Sequence, residues 1–71
     1  MSVVVKIRLK EVLAERGMTQ SELAKLSNLS ETAVSTFVRG QGNSINKEHL
    51  SKIASALNIS DIGEILELQF I

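Results

Sequence analysis

The sequence contains no cysteine, no proline, no tryptophan and no tyrosine. Without cysteine the chain has no disulfide, no thiolate metal ligand and no thiol nucleophile. Without proline, no rigid break marks a domain boundary, and 71 residues make one domain at most. Large side chains are too few to enclose a ligand cavity, so we expect the apolar residues to form one core in a single domain, residues 1–71.

The chain carries no excess of either charge, because eight Lys and Arg residues balance eight Asp and Glu residues. Many DNA-binding proteins are distinctly basic, so the net charge gives no support for a nucleic-acid partner. The distribution is uneven: the first forty residues hold six basic and four acidic side chains, and the remainder holds two and four. We therefore expect an uneven electrostatic field, with the excess of positive charge in the first forty residues and the excess of negative charge in the remainder.

Long apolar runs are also missing. The triplet at residues 3–5 is interrupted by Lys6 and Arg8 too soon for a signal-peptide core or a membrane span, so we expect a cytoplasmic protein. The alternation of apolar and polar residues in this region predicts a short strand. A second alternating segment, residues 65–70, follows Glu64 and contains Glu67. Antiparallel pairing of the two strands would set basic residues opposite acidic ones.

Between these segments the spacing of apolar residues is helical, and each helix is bounded by recognisable caps. Thr19-Gln20-Ser21-Glu22 is a capping box, which starts a helix by reciprocal side-chain to backbone hydrogen bonds. Glycine and asparagine mark the ends, because they tolerate a left-handed backbone. The four predicted helices run from residue 9 to Gly17, from Thr19 to Asn28, from Ser30 to Gly40 and from Asn46 to Asn58. A single turn at residues 61–63 precedes the second strand.

The second and third helices are separated by Ser27-Asn28-Leu29, the length of the tight turn in a helix-turn-helix. Ala24 is small, as required where the third helix crosses the second. The apolar residues expected inside the angle between these helices are Leu23, Leu29, Val34 and Phe37.

Residues 18–40 (MTQSELAKLSNLSETAVSTFVRG) resemble the Xre/Cro family of phage and bacterial repressors, and residues 50–60 (LSKIASALNIS) resemble the fourth helix and following turn of that family. One departure is Asn28, which stands where the family usually has glycine. The resemblance implies an all-α, lambda-repressor-like bundle of four to five short helices, with the helix-turn-helix at residues 20–39. The strand patterns add short β-strands at the N- and C-termini.

By this resemblance Gln20, which opens the second helix, contacts a DNA phosphate, and a helix N-terminus favours an anion on physical grounds as well. The exposed residues of the third helix that we expect to meet base edges are Glu31, Thr32, Ser35 and Thr36. The other expected phosphate contacts are Arg39, Gln41, Asn43 and Ser44.

For several residues the sequence allows two interpretations. Glu31 either accepts a hydrogen bond from cytosine N4 or is simply a charge that favours the helix N-terminus. The basic residues Lys6, Arg8 and Lys10 form either a solvated strand edge or a DNA contact. His49 has no cysteine or second histidine beside it, so a solvated helix residue is expected rather than a metal ligand or a catalytic base.

The predicted function is sequence-specific transcriptional regulation, as a repressor, with double-stranded DNA as partner. The alternative is a protein-interaction module, such as an antitoxin-like or scaffold partner, with weak or no DNA binding. We expect no enzymatic activity, cofactor, metal, small-molecule substrate or membrane partner, because no catalytic or metal constellation can be assembled.

A homodimer is expected, because the core is small and the second strand offers apolar residues to another copy. The expected interface residues are Leu66, Leu68, Phe70 and Ile71.

Overall fold

The computed structural model describes residues 2–40 and 44–71. Its elements are β1 (Val3–Ile7), α1 (Leu9–Arg16), α2 (Gln20–Ser27), α3 (Glu31–Arg39), α4 (Lys47–Leu57), a 3₁₀ turn (Ile62–Glu64) and β2 (Leu66–Phe70). This confirms the predicted fold class, a helix-turn-helix bundle with a short strand at each end. Among the described residues the longest helix, α4, has eleven residues, and none of the helices could span a membrane.

The predicted caps define the helix boundaries. At the start of α2 the amide of Glu22 donates to Thr19 Oγ1 over 3.1 Å, and the amide of Thr19 donates to Glu22 Oε1 over 2.9 Å. Both asparagines at helix ends, Asn28 and Asn58, have a left-handed backbone with φ of 58° and 56°. The side chain of Asn46 accepts from two amides in the first turn of α4. Local chemistry thus fixes where each helix begins and ends.

The core is a single apolar cluster to which every helix and the residue before β2 contribute. The fully or nearly fully buried apolar residues are Leu9, Val12, Leu13, Leu23, Ala24, Val34, Ile53, Leu57 and Ile65. Leu29 and Phe37 are only partly buried against this cluster, although the sequence predicted them to be inside. Ile65, which the sequence placed in the second strand, lies between the 3₁₀ turn and β2 and is fully buried.

β1 and β2 pair as an antiparallel two-stranded ribbon, as predicted. Lys6 lies opposite Glu67, which confirms the expected pairing of unlike charges at this position. Arg8 differs from the expectation, because its amide donates to the carbonyl oxygen of Ile65 over 2.6 Å and the residue therefore faces Ile65 instead of an acidic residue. The strand pairing ends there because the chain turns into α1 at Leu9.

Candidate nucleic-acid interface

The turn between α2 and α3 depends on Asn28. Its left-handed backbone reverses the chain direction, and the amide of the next residue, Leu29, donates to the carbonyl oxygen of Ala24 over 3.0 Å. Asparagine adopts this conformation with less strain than most residues other than glycine. The departure from glycine at this position is therefore accommodated without opening the turn.

Buried side chains set the crossing of α2 and α3. Leu23 and Val34 are completely buried, and Ala24 is nearly so, which leaves no room there for a larger residue. Ser27 is also buried, and its hydroxyl donates to the carbonyl oxygen of Leu23 over 2.7 Å. Because α3 packs on α2 through the buried Val34, the opposite face of α3 points away from the core.

That outward face carries all the residues of α3 that the sequence singled out. They recur with helical spacing along one side of the helix and are Glu31, Thr32, Ser35, Thr36 and Arg39. All are exposed except Ser35, which is half-buried. The structure therefore places the expected base-reading residues on one surface with a cation at its far end.

Arg39 lies back along its own helix, where Nε donates to the carbonyl oxygen of Ser35 over 3.4 Å. The ion pair found within residues 2–40 and 44–71 joins Lys52 to Glu48 on α4, so no described carboxylate neutralises Arg39. An exposed, unneutralised guanidinium at the end of α3 is suited to a phosphate.

The N-terminus of α2 is a second anion-attracting position, with Gln20 exposed at its first residue. The capping box uses the amides of Thr19 and Glu22, so the amides of Gln20 and Ser21 remain at the open helix end. A hydrogen bond from the Thr19 amide, and a second from its hydroxyl, lower the pKa of Glu22 below its ordinary value. Because the lowered pKa keeps the Glu22 carboxylate ionised, its negative charge repels a phosphate at the same helix end.

The remaining predicted contacts lie beyond α3. Ser44 is exposed, whereas Gln41 and Asn43 lie outside the described residues. Of the basic residues near β1, Lys6 and Lys10 are exposed and Arg8 is half-buried. They lie on the ribbon and on α1 rather than on α3, so the structure does not bring them onto the outward face of α3.

A cleft that the sequence did not predict lies between β1, α3 and the start of α4. Val5, Ile7, Phe37 and His49 are among its lining residues. The cleft explains why Phe37 is only half-buried, and it gives His49 apolar neighbours instead of full solvation. The described residues contain no group of His, Cys, Asp and Glu side chains that could hold a metal ion. The sequence feature that could have indicated this cleft is the alternation of apolar and polar residues in β1, because it extends one apolar face of the strand beyond the core.

A capped pair of short helices, a tight left-handed turn and an outward polar face on the second helix together define a helix-turn-helix DNA-binding regulator. Residues 8–70 match the family described as the Cro/C1-type HTH DNA-binding domain. The chain belongs to this family, which agrees with the resemblance found in the sequence. Comparisons with curated proteins and with solved structures gave no match.

Proposed function

We propose that the protein is a cytoplasmic transcriptional repressor that inserts α3 into the major groove and reads a specific DNA sequence. The observation that supports this most directly is the single outward face of α3, from Glu31 to Arg39, opposite the completely buried Val34. An α-helix fits the major groove, where each base pair presents a distinct pattern of donors and acceptors. The repressor role rests on the resemblance to phage and bacterial repressors.

The side chains proposed to contact bases are short and mostly hydroxylic. Thr32, Ser35 and Thr36 each offer a hydroxyl that donates and accepts, and the two threonine methyl groups pack on thymine C5-methyl groups. Glu31, in the first turn of α3, is an acceptor suited to cytosine N4. This set favours a site containing thymine and a cytosine near the helix N-terminus.

Phosphate contacts would fix the position of α3 in the groove. Gln20 at the start of α2 and Arg39 at the end of α3 lie at the two ends of the helix pair. Ser44, with Gln41 and Asn43 before it, would continue the backbone contacts beyond α3. Contacts of this kind give affinity and register, whereas the α3 hydroxyls give sequence preference.

Selection of bound sequences from random duplexes, followed by fluorescence anisotropy on the selected site, tests the proposal. We expect one preferred sequence, and an affinity for it that falls steeply as salt rises from 50 to 200 mM. The Lys52→Ala variant serves as a control for the loss of one positive charge. It is expected to bind the selected site as the parent does, because Lys52 lies on α4 and is paired with Glu48. Absence of enrichment together with a flat salt response would favour the protein-interaction module instead.

A role in binding rather than catalysis is part of the proposal. The outward residues of α3 include no histidine, although Thr36 at the edge of that face lines the same cleft as His49. Among the described residues no hydrogen bond joins a hydroxyl of α3 to His49 or to a carboxylate, so the arrangement required for an activated nucleophile is not formed there.

A further inference from the structure

The cleft between β1, α3 and the start of α4 has an apolar wall, formed by Val5, Ile7, Phe37 and Ile45. Val5 and Ile7 lie on the same side of β1, because side chains alternate along a strand. Val5 is 57% exposed and Ile45 is 38% exposed, so part of this wall faces solvent. A concave surface lined mainly by apolar side chains is typical of a small-molecule site.

The volume of the cleft, about 250 Å³, limits the size of its ligand. A protein cavity of about 150 Å³ with apolar walls holds benzene, whereas pockets for drug-sized ligands have about 300–1,000 Å³. The cleft therefore accommodates one six-membered ring with a short substituent. Phe37, which is half-buried in the wall, offers its own ring for an offset or edge-to-face contact with a ligand ring.

The polar residues of the cleft are hydrogen-bond donors. They are Thr36, Ser44, Asn46 and His49. Asn46 Oδ1 already accepts from the amides of Glu48 and His49, so the NH₂ group is the part of this side chain left for a further partner. The side chains of Thr36, Ser44 and His49 form no hydrogen bond with any described residue, and each can donate one.

The charges around the cleft favour an anionic ligand group. No Asp or Glu occurs among the described residues that line the cleft. The carboxylate of Glu48, beside the lining residue His49 in the sequence, is paired with Lys52 over 3.2 Å. A carboxylate only accepts hydrogen bonds, so a set of donors without a carboxylate of its own is complementary to it.

The residues expected at a dimer interface lie outside the cleft. Leu68, Phe70 and Ile71 are exposed and Leu66 packs against the core, but none of these four residues lines the cleft. A ligand in the cleft therefore contacts a different set of side chains.

We propose that the cleft binds a small aromatic carboxylate, with its ring against Phe37 and the rest of the apolar wall and its carboxylate at Thr36, Asn46 and His49. This inference goes beyond the proposed function, because it assigns a small-molecule site, and binding at that site does not require DNA.

Occupation of the cleft also affects the proposed base contact of Thr36, and this second step rests on the proposed function. Thr36 is exposed on the outward face of α3 and also lines the cleft. A hydroxyl carries one proton, so a Thr36 hydroxyl that donates to a ligand carboxylate no longer donates to a base. We expect the ligand to reduce discrimination at the base pair that Thr36 contacts.

Titration of the DNA-free chain with phenylacetate, followed in ¹H–¹⁵N correlation spectra, tests the site. We expect saturable shifts for the amides of Val5, Phe37 and His49, with a Kd on the order of 1 mM for a ligand of about ten non-hydrogen atoms. Phenylacetamide keeps the ring but lacks the charge, and is expected to bind about tenfold more weakly. Absence of saturable shifts with phenylacetate overturns the proposal, and equal affinity for the two compounds overturns the assignment of a carboxylate.

Two substitutions by methionine locate the site. Ala33 is half-buried in the lining of the cleft, so Ala33→Met fills it and is expected to abolish the shifts. Ala14→Met, at an exposed position on α1, is the matched control and is expected to bind as the parent does. Thr36→Val removes only the hydroxyl and is expected to weaken phenylacetate about tenfold. Circular dichroism reports whether the helices are intact, and Ala33→Met binding as well as Ala14→Met overturns the location.

Competition anisotropy on the selected duplex, with phenylacetate at saturation, tests the second step. The parent is expected to lose discrimination at the base pair that Thr36 contacts, and Ala33→Met is expected not to respond to phenylacetate. Ligand binding that leaves the discrimination unchanged overturns the second step but not the site. If no duplex is preferred, the proposed function and the second step both fail, whereas the titration without DNA still decides the ligand site.

Discussion

Arg16, the last residue of α1, donates from Nη1 to the carbonyl oxygen of Leu57, the last residue of α4, over 2.6 Å. The left-handed cap at Asn58 satisfies carbonyl groups one turn earlier, those of Ala54 and Ser55, and leaves that of Leu57 to the arginine. A cation at a helix C-terminus also interacts favourably with the helix dipole. This hydrogen bond links the C-terminal end of α1 to the C-terminal end of α4.

We expect Arg16→Met to lower the free energy of unfolding by about 1 kcal/mol, because the charged hydrogen bond is lost while most of the aliphatic stem remains. For a domain of this size that corresponds to a fall in Tm of roughly 4–8 °C. Lys10→Met is the control, since Lys10 lies exposed on the same helix and its side chain forms no hydrogen bond or ion pair among the described residues. Equal melting temperatures for the two variants would contradict the assigned role of Arg16.

Two glycines in the same backbone conformation form a matched pair for testing the contact between α3 and β1. Gly17 and Gly40 have φ of 62° and 64°, but a Cβ on Gly17 would meet nothing within 4 Å, whereas one on Gly40 would lie 3.2 Å from Ile7 Cγ1. Each alanine substitution incurs left-handed strain of roughly 1–2 kcal/mol. We expect Gly40→Ala to be the more destabilising in chemical denaturation, because it also displaces Ile7.

Repeating the comparison in an Ile7→Ala background isolates that contact. The difference between Gly40→Ala and Gly17→Ala is expected to shrink once the Ile7 side chain is removed, as in a double-mutant cycle. An unchanged difference would show that the extra effect at Gly40 arises elsewhere.

The capping box of α2 predicts a specific dependence of stability on pH. The hydrogen bonds from Thr19 lower the pKa of Glu22 in the folded protein, so the ionised carboxylate stabilises the fold above the pKa of the unfolded chain. This contribution is lost as the pH falls through the lowered folded pKa. Glu22→Gln keeps a side-chain acceptor but does not titrate. We therefore expect the parent chain to lose stability relative to Glu22→Gln as the solution is acidified.

Urea unfolding of both proteins between neutral pH and pH 2 provides the measurement. Glu15→Gln, at an exposed position on α1, controls for the general removal of one negative charge. A difference between parent and Glu22→Gln that stays constant over this pH range would refute a role for the Glu22 carboxylate.

The proposed insertion of α3 into the major groove predicts two different outcomes on DNA. Arg39→Ala is expected to weaken binding to all duplexes by a similar factor and to reduce the salt slope by about 1, as for the loss of a phosphate contact. Thr36→Ala is expected to change the preferred base at one position, with about 1–3 kcal/mol of discrimination lost. Competition anisotropy against single-base variants of the selected site separates the two. If both variants bind every duplex as the parent does, α3 does not lie in the groove.

The parts of the fold that the sequence predicted are those decided by local chemistry. The capping box at Thr19 involves residues three apart, and the left-handed ends at Gly17, Asn28 and Asn58 follow from what each residue tolerates. The antiparallel ribbon was also predictable, because two alternating segments offer one apolar face each and Lys6 then lies opposite Glu67.

The features that were missed depend on residues far apart in the sequence. The hydrogen bond from Arg16 to Leu57 spans 41 positions, and no local pattern points to it. The sequence placed Phe37 inside the angle between α2 and α3, but the cleft beside β1 leaves it half-buried. On the candidate site, spacing alone put Thr32 and Thr36 on one face. The half-burial of Ser35 became evident only from how α3 packs.

The ribbon joins residues from opposite ends of the described chain, with Ser2 bonded to Ile71, whereas α2 and α3 are neighbours in sequence. Closing a long loop costs more entropy than closing a short one, so contacts between the helices form with less delay during folding. Eight of the ten residues of the ribbon are exposed, and we expect it to open before the helices in native-state hydrogen exchange. Amide protons of Val4 and Lys6 would then exchange sooner than that of Leu23, and α2 and α3 would already be packed together before the two strands meet.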